Sequence, residues 1–116
     1  MKRRSEVLLW GAQRISAMVL AVCVIVHLVT MIYAVRSGLS GPEILGRTQG
    51  NLGWFAFYAV FVAAVAVHAP IGLRTILAET FDWRGRGADV FAGVVGLSLA
   101  MWGLREVLAV FSGAPA

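Results

Sequence analysis

Two histidines, His27 and His68, are the only ones in the 116-residue chain, and each lies inside a long apolar run. Ionisable or ligating side chains held in lipid mark functional sites by default. Neutral imidazole is a common metal ligand, and a pair of imidazoles on haem iron is a familiar use of histidine within membranes. Around His68 the series is unusual: His68-Ala69-Pro70-Ile71-Gly72-Leu73-Arg74, with Glu79 beyond. Gly72 falls four residues on, on the same helix face, and lets a flat group approach the backbone. Arg74 falls at the edge of the apolar run, where a guanidinium pairs well with an anionic group. The bland use of an intramembrane histidine is an interhelical hydrogen bond of about 1 kcal/mol. Both histidines of the chain falling in apolar runs favours ligation over that use.

The elements that must hold these rings follow from composition. Hydrophobic residues make up 59% of the chain and its mean hydropathy is +0.82, more apolar surface than a soluble domain of this size needs. The net charge is +4, but the basic residues sit at the edges of apolar runs. That suits anchoring at a membrane rather than nucleic acid, which asks for a basic face. Residues 15–35 carry no charge, enough to cross a hydrocarbon core of ~30 Å at ~1.5 Å per residue. The run is too long for a secretory signal, and further spans follow. A second uncharged run lies between Arg47 and Arg74, with Asn51, Gly53, Trp54 and Tyr58 at its interfacial start. A third begins near Asp89 and is interrupted by Arg105 and Glu106 before Val107 to Phe111. The expectation is an all-α membrane protein with three transmembrane helices at about 12–35, 52–77 and 89–111, one domain over 1–116, joining a larger helical bundle with a partner chain. The linker 37–50 has room for a short surface helix around Glu43. Residues 80–88 form a tight connection, and the tail from Ser112 to Ala116 reads as disordered.

Lys2, Arg3, Arg4, Arg14, Arg74, Arg84 and Arg86 fall on the N-terminal side of the spans, against Arg36, Arg47 and Arg105 on the other. Seven against three places the N-terminus in the cytoplasm. With Arg14 and Arg74 as markers of that interface, His27 lies ~20 Å deep and His68 ~9 Å deep, an offset of ~10 Å. Two ligands of one iron share a height, so the histidines serve different haems, each with its second ligand from another chain. Gln13, Ser16, Leu20, Val24 and His27 form a stripe at helical spacing, and Ser16 and Ala17 permit close packing near the edge. The single Cys23 makes no internal disulfide, and there is no Cys-x-x-Cys-His for covalent haem attachment.

The run Gln13-Arg14-Ile15-Ser16-Ala17 followed by His27 resembles the first helix of the membrane cytochrome b subunits of succinate dehydrogenases and quinol:fumarate reductases. That family often has His-Arg-x-Ser-Gly there. The block His68-x-x-x-Gly72-x-Arg74-x-x-x-x-Glu79 resembles its second-helix signature. The resemblance implies that His68 is an axial ligand of the haem b nearer the cytoplasm, and that His27 is a ligand of a distal haem. It places Arg14 near quinone and propionate, and Arg74 near the same propionates. Gln13 stands where the family has His, Ala17 where it has Gly, and Trp10 where monohaem members have a quinone-binding serine.

With the resemblance, the expectation is a non-catalytic haem b anchor of a succinate:quinone oxidoreductase in the bacterial inner membrane. The resemblance implies that it binds one or two haems and a quinone through His68, His27, Arg74, Arg14, Gly72, Ser16 and Gln13. Its expected partners are an iron–sulfur subunit, a flavoprotein, and a second anchor subunit or second copy of the chain, with no nucleic acid. The rivals are a haem-free membrane anchor and a cytochrome b anchor of another respiratory complex.

Overall fold

The computed structural model describes residues 2–113, and among them the only regular elements are four helices. These are α1 (Lys2–Arg36), α2 (Gly41–Thr48), α3 (Leu52–Phe81) and α4 (Arg86–Ser112). Helices α1, α3 and α4 are each long and apolar enough to cross a membrane. The short helix in the first linker forms as expected, and local chemistry explains it. Ser40 Oγ accepts the Glu43 N–H at 3.3 Å while Glu43 Oε1 accepts the Ser40 N–H at 3.4 Å, a reciprocal cap that fixes the first turn.

Helix ends are set by residues that tolerate left-handed backbone. Gly38 (φ 68°) closes α1, with Leu39 N–H donating to Ala34 O at 3.0 Å and Gly38 N–H to Val35 O at 3.2 Å, the paired bonds of a Schellman motif. Asn51 caps α3, its Oδ1 accepting the Trp54 N–H at 3.2 Å. Asp82 (φ 50°) ends α3, so the second connection shrinks from the expected 80–88 to the four residues 82–85. The tail expectation changes too: Ser112 is helical and Gly113 (φ 74°) caps it, while residues 114–116 lie outside the described residues.

Helix α3 is the middle of the molecule. It packs against both α1 and α4, whereas α1 and α4 barely meet. Its face toward α4 meets small residues. A Cβ on Gly96 would stand 2.8 Å from Pro70 Cγ and 3.4 Å from Ala66 O, and one on Gly103 would stand 2.6 Å from Val62 Cγ1. Pro70 has no N–H for the Ala66 carbonyl, and Gly96 lets α4 close over that gap. Ala88, Ala92 and Val107 are buried along the same side of α4. At the far end α2 clips α4: Thr48 Oγ1 donates to Val110 O at 2.9 Å and Gly50 N–H to Phe111 O at 2.8 Å.

Candidate functional site

The histidines sit on the α1–α3 seam, which runs antiparallel in a constant register. Gln13 meets Gly72, Ser16 meets His68, and His27 meets Tyr58 and Phe61. On α1 the seam residues are Leu9, Gln13, Ser16, Leu20, Cys23, His27, Thr30 and Ala34, all buried or half-buried. They step by four and three in alternation, the pattern of two helices wound about each other. Two expectations from the sequence therefore need correction, the stripe and the close-packing pair Ser16 and Ala17. Val24 is 50% exposed and Cys23, at 4%, takes its place; Ala17 is exposed beside the buried Ser16.

On α3 the matching positions are Tyr58, Phe61, Val65, His68 and Gly72, all half-buried. Ser16 marks the level of His68 on α1, and Tyr58 marks the level of His27 on α3. Both helices then give the same axial separation for the two rings, ~15 Å. The separation exceeds the ~10 Å reached from the arginine markers, and the register explains the difference. With Gln13 opposite Gly72, Arg74 lies about one turn, ~5 Å, nearer the N-terminal rim than Arg14 does.

Each ring turns its Nδ1 toward a hydroxyl on the facing helix. His68 Nδ1 lies 3.4 Å from Ser16 Oγ, and His27 Nδ1 lies 3.5 Å from Tyr58 Oη. Among the described residues no hydrogen bond reaches Nε2 of either ring. His27 also packs edge-on against Phe61, with ring centroids 5.8 Å apart, and its backbone carbonyl accepts from Thr30 Oγ1 at 2.7 Å. It borders an apolar cavity of about 480 Å³ whose walls include Phe61, Val65, Leu99, Trp102 and Gly103. Glu106 lines the same cavity, so the charged pair that breaks the third apolar run stands near the depth of His27.

The remaining site residues are placed as follows. Gln13 lies against Gly72, its Nε2 3.1 Å from where a Cβ would be, so within the chain Gly72 makes room for Gln13. Gln13 Oε1 is buried and accepts no hydrogen bond from the described residues. Arg14 folds over the Trp10 ring, 5.1 Å from its centroid. Arg74 Nε donates to Asp89 Oδ1 at 2.6 Å, both side chains half-exposed. A polar cleft of about 570 Å³ lies beside that pair, lined by Glu6, Glu79, Trp83 and Arg84 among others. Gln13, Ser16, His68 and Gly72 are thus brought together, His27 stands apart, and Arg14 and Arg74 lie at the rim without touching either ring. Tyr58, Phe61, Trp102 and Glu106 are additions that the sequence reading did not single out for the His27 cavity. The heptad relation of Tyr58, Phe61, Val65, His68 and Gly72 is the signal that points to two of them.

No curated protein and no solved structure matches the chain. A family model, described as succinate dehydrogenase/fumarate reductase transmembrane subunit, matches residues 1–110. A three-span helical architecture and a match over nearly the whole length agree: this chain is a multi-pass membrane protein that belongs to the succinate dehydrogenase/fumarate reductase transmembrane subunit family.

Proposed function

We propose that the chain is the haem b anchor of a succinate:quinone oxidoreductase, carrying electrons between a cytoplasmic iron–sulfur subunit and membrane quinone. One observation carries this reading: two half-buried imidazoles on one seam, ~15 Å apart in height, each with a hydroxyl at Nδ1 and, among the described residues, no bond at Nε2. That donor set suits iron, because a ligating imidazole usually hands its other ring N–H to an oxygen. The cavity beside His27 adds room for a flat apolar group.

In this reading His68 and His27 are axial ligands, and each iron takes its other ligand from a second anchor subunit or another copy of the chain. Bound haem would supply a one-electron iron couple. The chain's own residues hold and orient it. Ser16 and Tyr58 keep the rings turned, and Arg74 and Arg14 stand at the rim for propionate or quinone oxygens. The buried, unpaired Gln13 Oε1 can accept from a hydroxyl of a bound quinol. The N-terminal rim faces the cytoplasm, where the iron–sulfur and flavoprotein subunits dock.

A reduced-minus-oxidised spectrum of the purified complex tests this. A b-type signal is expected, with His68→Ala and His27→Ala each removing a different part of it. A complex that keeps all its haem with unchanged spectra in both variants would leave a haem-free anchor as the correct reading.

A further inference from the structure

The direction of the Ser16–His68 contact follows from where the Ser16 proton goes. Ser16 is 6% exposed, and its single hydroxyl proton has an acceptor within its own helix, the Gln13 backbone carbonyl 3.1 Å from Oγ. A proton placed there leaves Oγ lone pairs toward His68. At 3.4 Å from Nδ1, that oxygen is then placed to accept, an arrangement that puts the ring proton on Nδ1. A neutral imidazole has one N–H and one lone pair, so Nε2 carries the lone pair.

We infer that Ser16 is the positioning residue for His68: it fixes the Nδ1–H tautomer, aims Nε2 at the metal and sets the imidazole's basicity. The inference rests on the haem-ligand reading of His68 given above. It goes further by assigning the donor chain Nδ1–H to Ser16 Oγ, and Ser16 O–H to the Gln13 carbonyl. Each bond in such a chain polarises the next, so Ser16 accepts more strongly than an isolated hydroxyl. The neighbourhood supports a fixed role. Ser16 lies in the close α1–α3 contact, and His68 is held on a half-buried helix face. No carboxylate is hydrogen-bonded to His68 among the described residues, so the hydroxyl is the group available to hold Nδ1.

His27 supplies the internal comparison. Its Nδ1 faces the Tyr58 phenol at 3.5 Å, and among the described residues the phenol proton has no second acceptor. The tautomer of His27 is therefore not dictated in the same way, and a change at Ser16, ~15 Å away along the seam, leaves it alone.

The test uses the assembled complex with a spectroscopic redox titration of its haem b. Ser16→Ala removes one oxygen without adding volume. Expected is retention of haem, with a rise in the midpoint potential of the His68 haem alone. Outer-shell partners are worth about 10–100-fold. A tenfold loss of ferric over ferrous stabilisation is about 59 mV for one electron. Ser16→Thr, which keeps the hydroxyl, restores the wild-type potential. A second readout needs no haem: ¹⁵N NMR of His68 in haem-depleted complex reports Nδ1–H in the wild type and a mixed or Nε2–H state in Ser16→Ala. An unchanged potential and unchanged tautomer in Ser16→Ala overturn the inference while the ligand reading stands. If His68→Ala keeps every haem, the ligand reading falls and takes the inference with it.

Discussion

At the scale of single residues, the contrast between Arg74 and Gln13 is informative. Arg74 is paired, but in a half-exposed setting, where ion pairs contribute at most about 1 kcal/mol. Asp89→Asn is therefore expected to change the thermal stability of the detergent-solubilised complex by less than about 1 kcal/mol. Its visible consequence is a freed guanidinium at the rim. Gln13 is the reverse case, with a buried amide oxygen that meets no donor among the described residues. Such an acceptor costs about 1–3 kcal/mol when left unmet. Gln13→Met, similar in length and lacking the amide, should stabilise a quinone-free complex on that scale. It should also weaken quinone binding, read as a raised KM for quinone with haem content unchanged.

At the scale of helices, the two sides of α3 are built differently. Toward α4 it meets glycines, and an added methyl has nowhere to go: 2.8 Å from Pro70 Cγ at Gly96 and 2.6 Å from Val62 Cγ1 at Gly103. Overpacking of this kind costs about 1–3 kcal/mol, so Gly96→Ala and Gly103→Ala should each lower the melting temperature of the complex. Gly93→Ala, with open space around it, should not. At the outer end Thr48→Val keeps the shape but loses the bond to the Val110 carbonyl, about 1 kcal/mol. Faster amide exchange in the last turns of α4 would register it. The long helices were legible from charge-free runs and the short α2 from the linker around Glu43, whereas its Ser40 cap was not singled out. The seam was legible to within one residue. A single-helix period selects Val24, whereas two wound helices follow a slightly shorter repeat and select Cys23. What the sequence hid was register: nothing in the chain states that Gln13 faces Gly72. The depth of His68, the Ser16 contact and the cavity at His27 all depend on that pairing.

At the scale of the whole molecule, the proposed orientation makes a direct prediction. Gly46, on exposed α2, and Arg86, at the start of α4, lie at opposite ends of the bundle. A membrane-impermeant maleimide added to intact cells should label Gly46→Cys and spare Arg86→Cys; the reverse pattern would invert the topology. The long axis of the molecule is 49 Å, against ~30 Å of hydrocarbon. The surplus falls at one end. Beyond the level of Arg74, about ten residues of α1, the last turns of α3 and the first turn of α4 continue as helix. That three-pronged pedestal rises ~15 Å along α1 and ~10 Å along α3, while the headgroup layer of one leaflet is only ~5–8 Å thick. A water-soluble subunit seated on it would touch polypeptide, including the Glu6–Arg84 cleft, before it touched lipid. Its attachment should therefore be indifferent to which headgroups the surrounding leaflet carries.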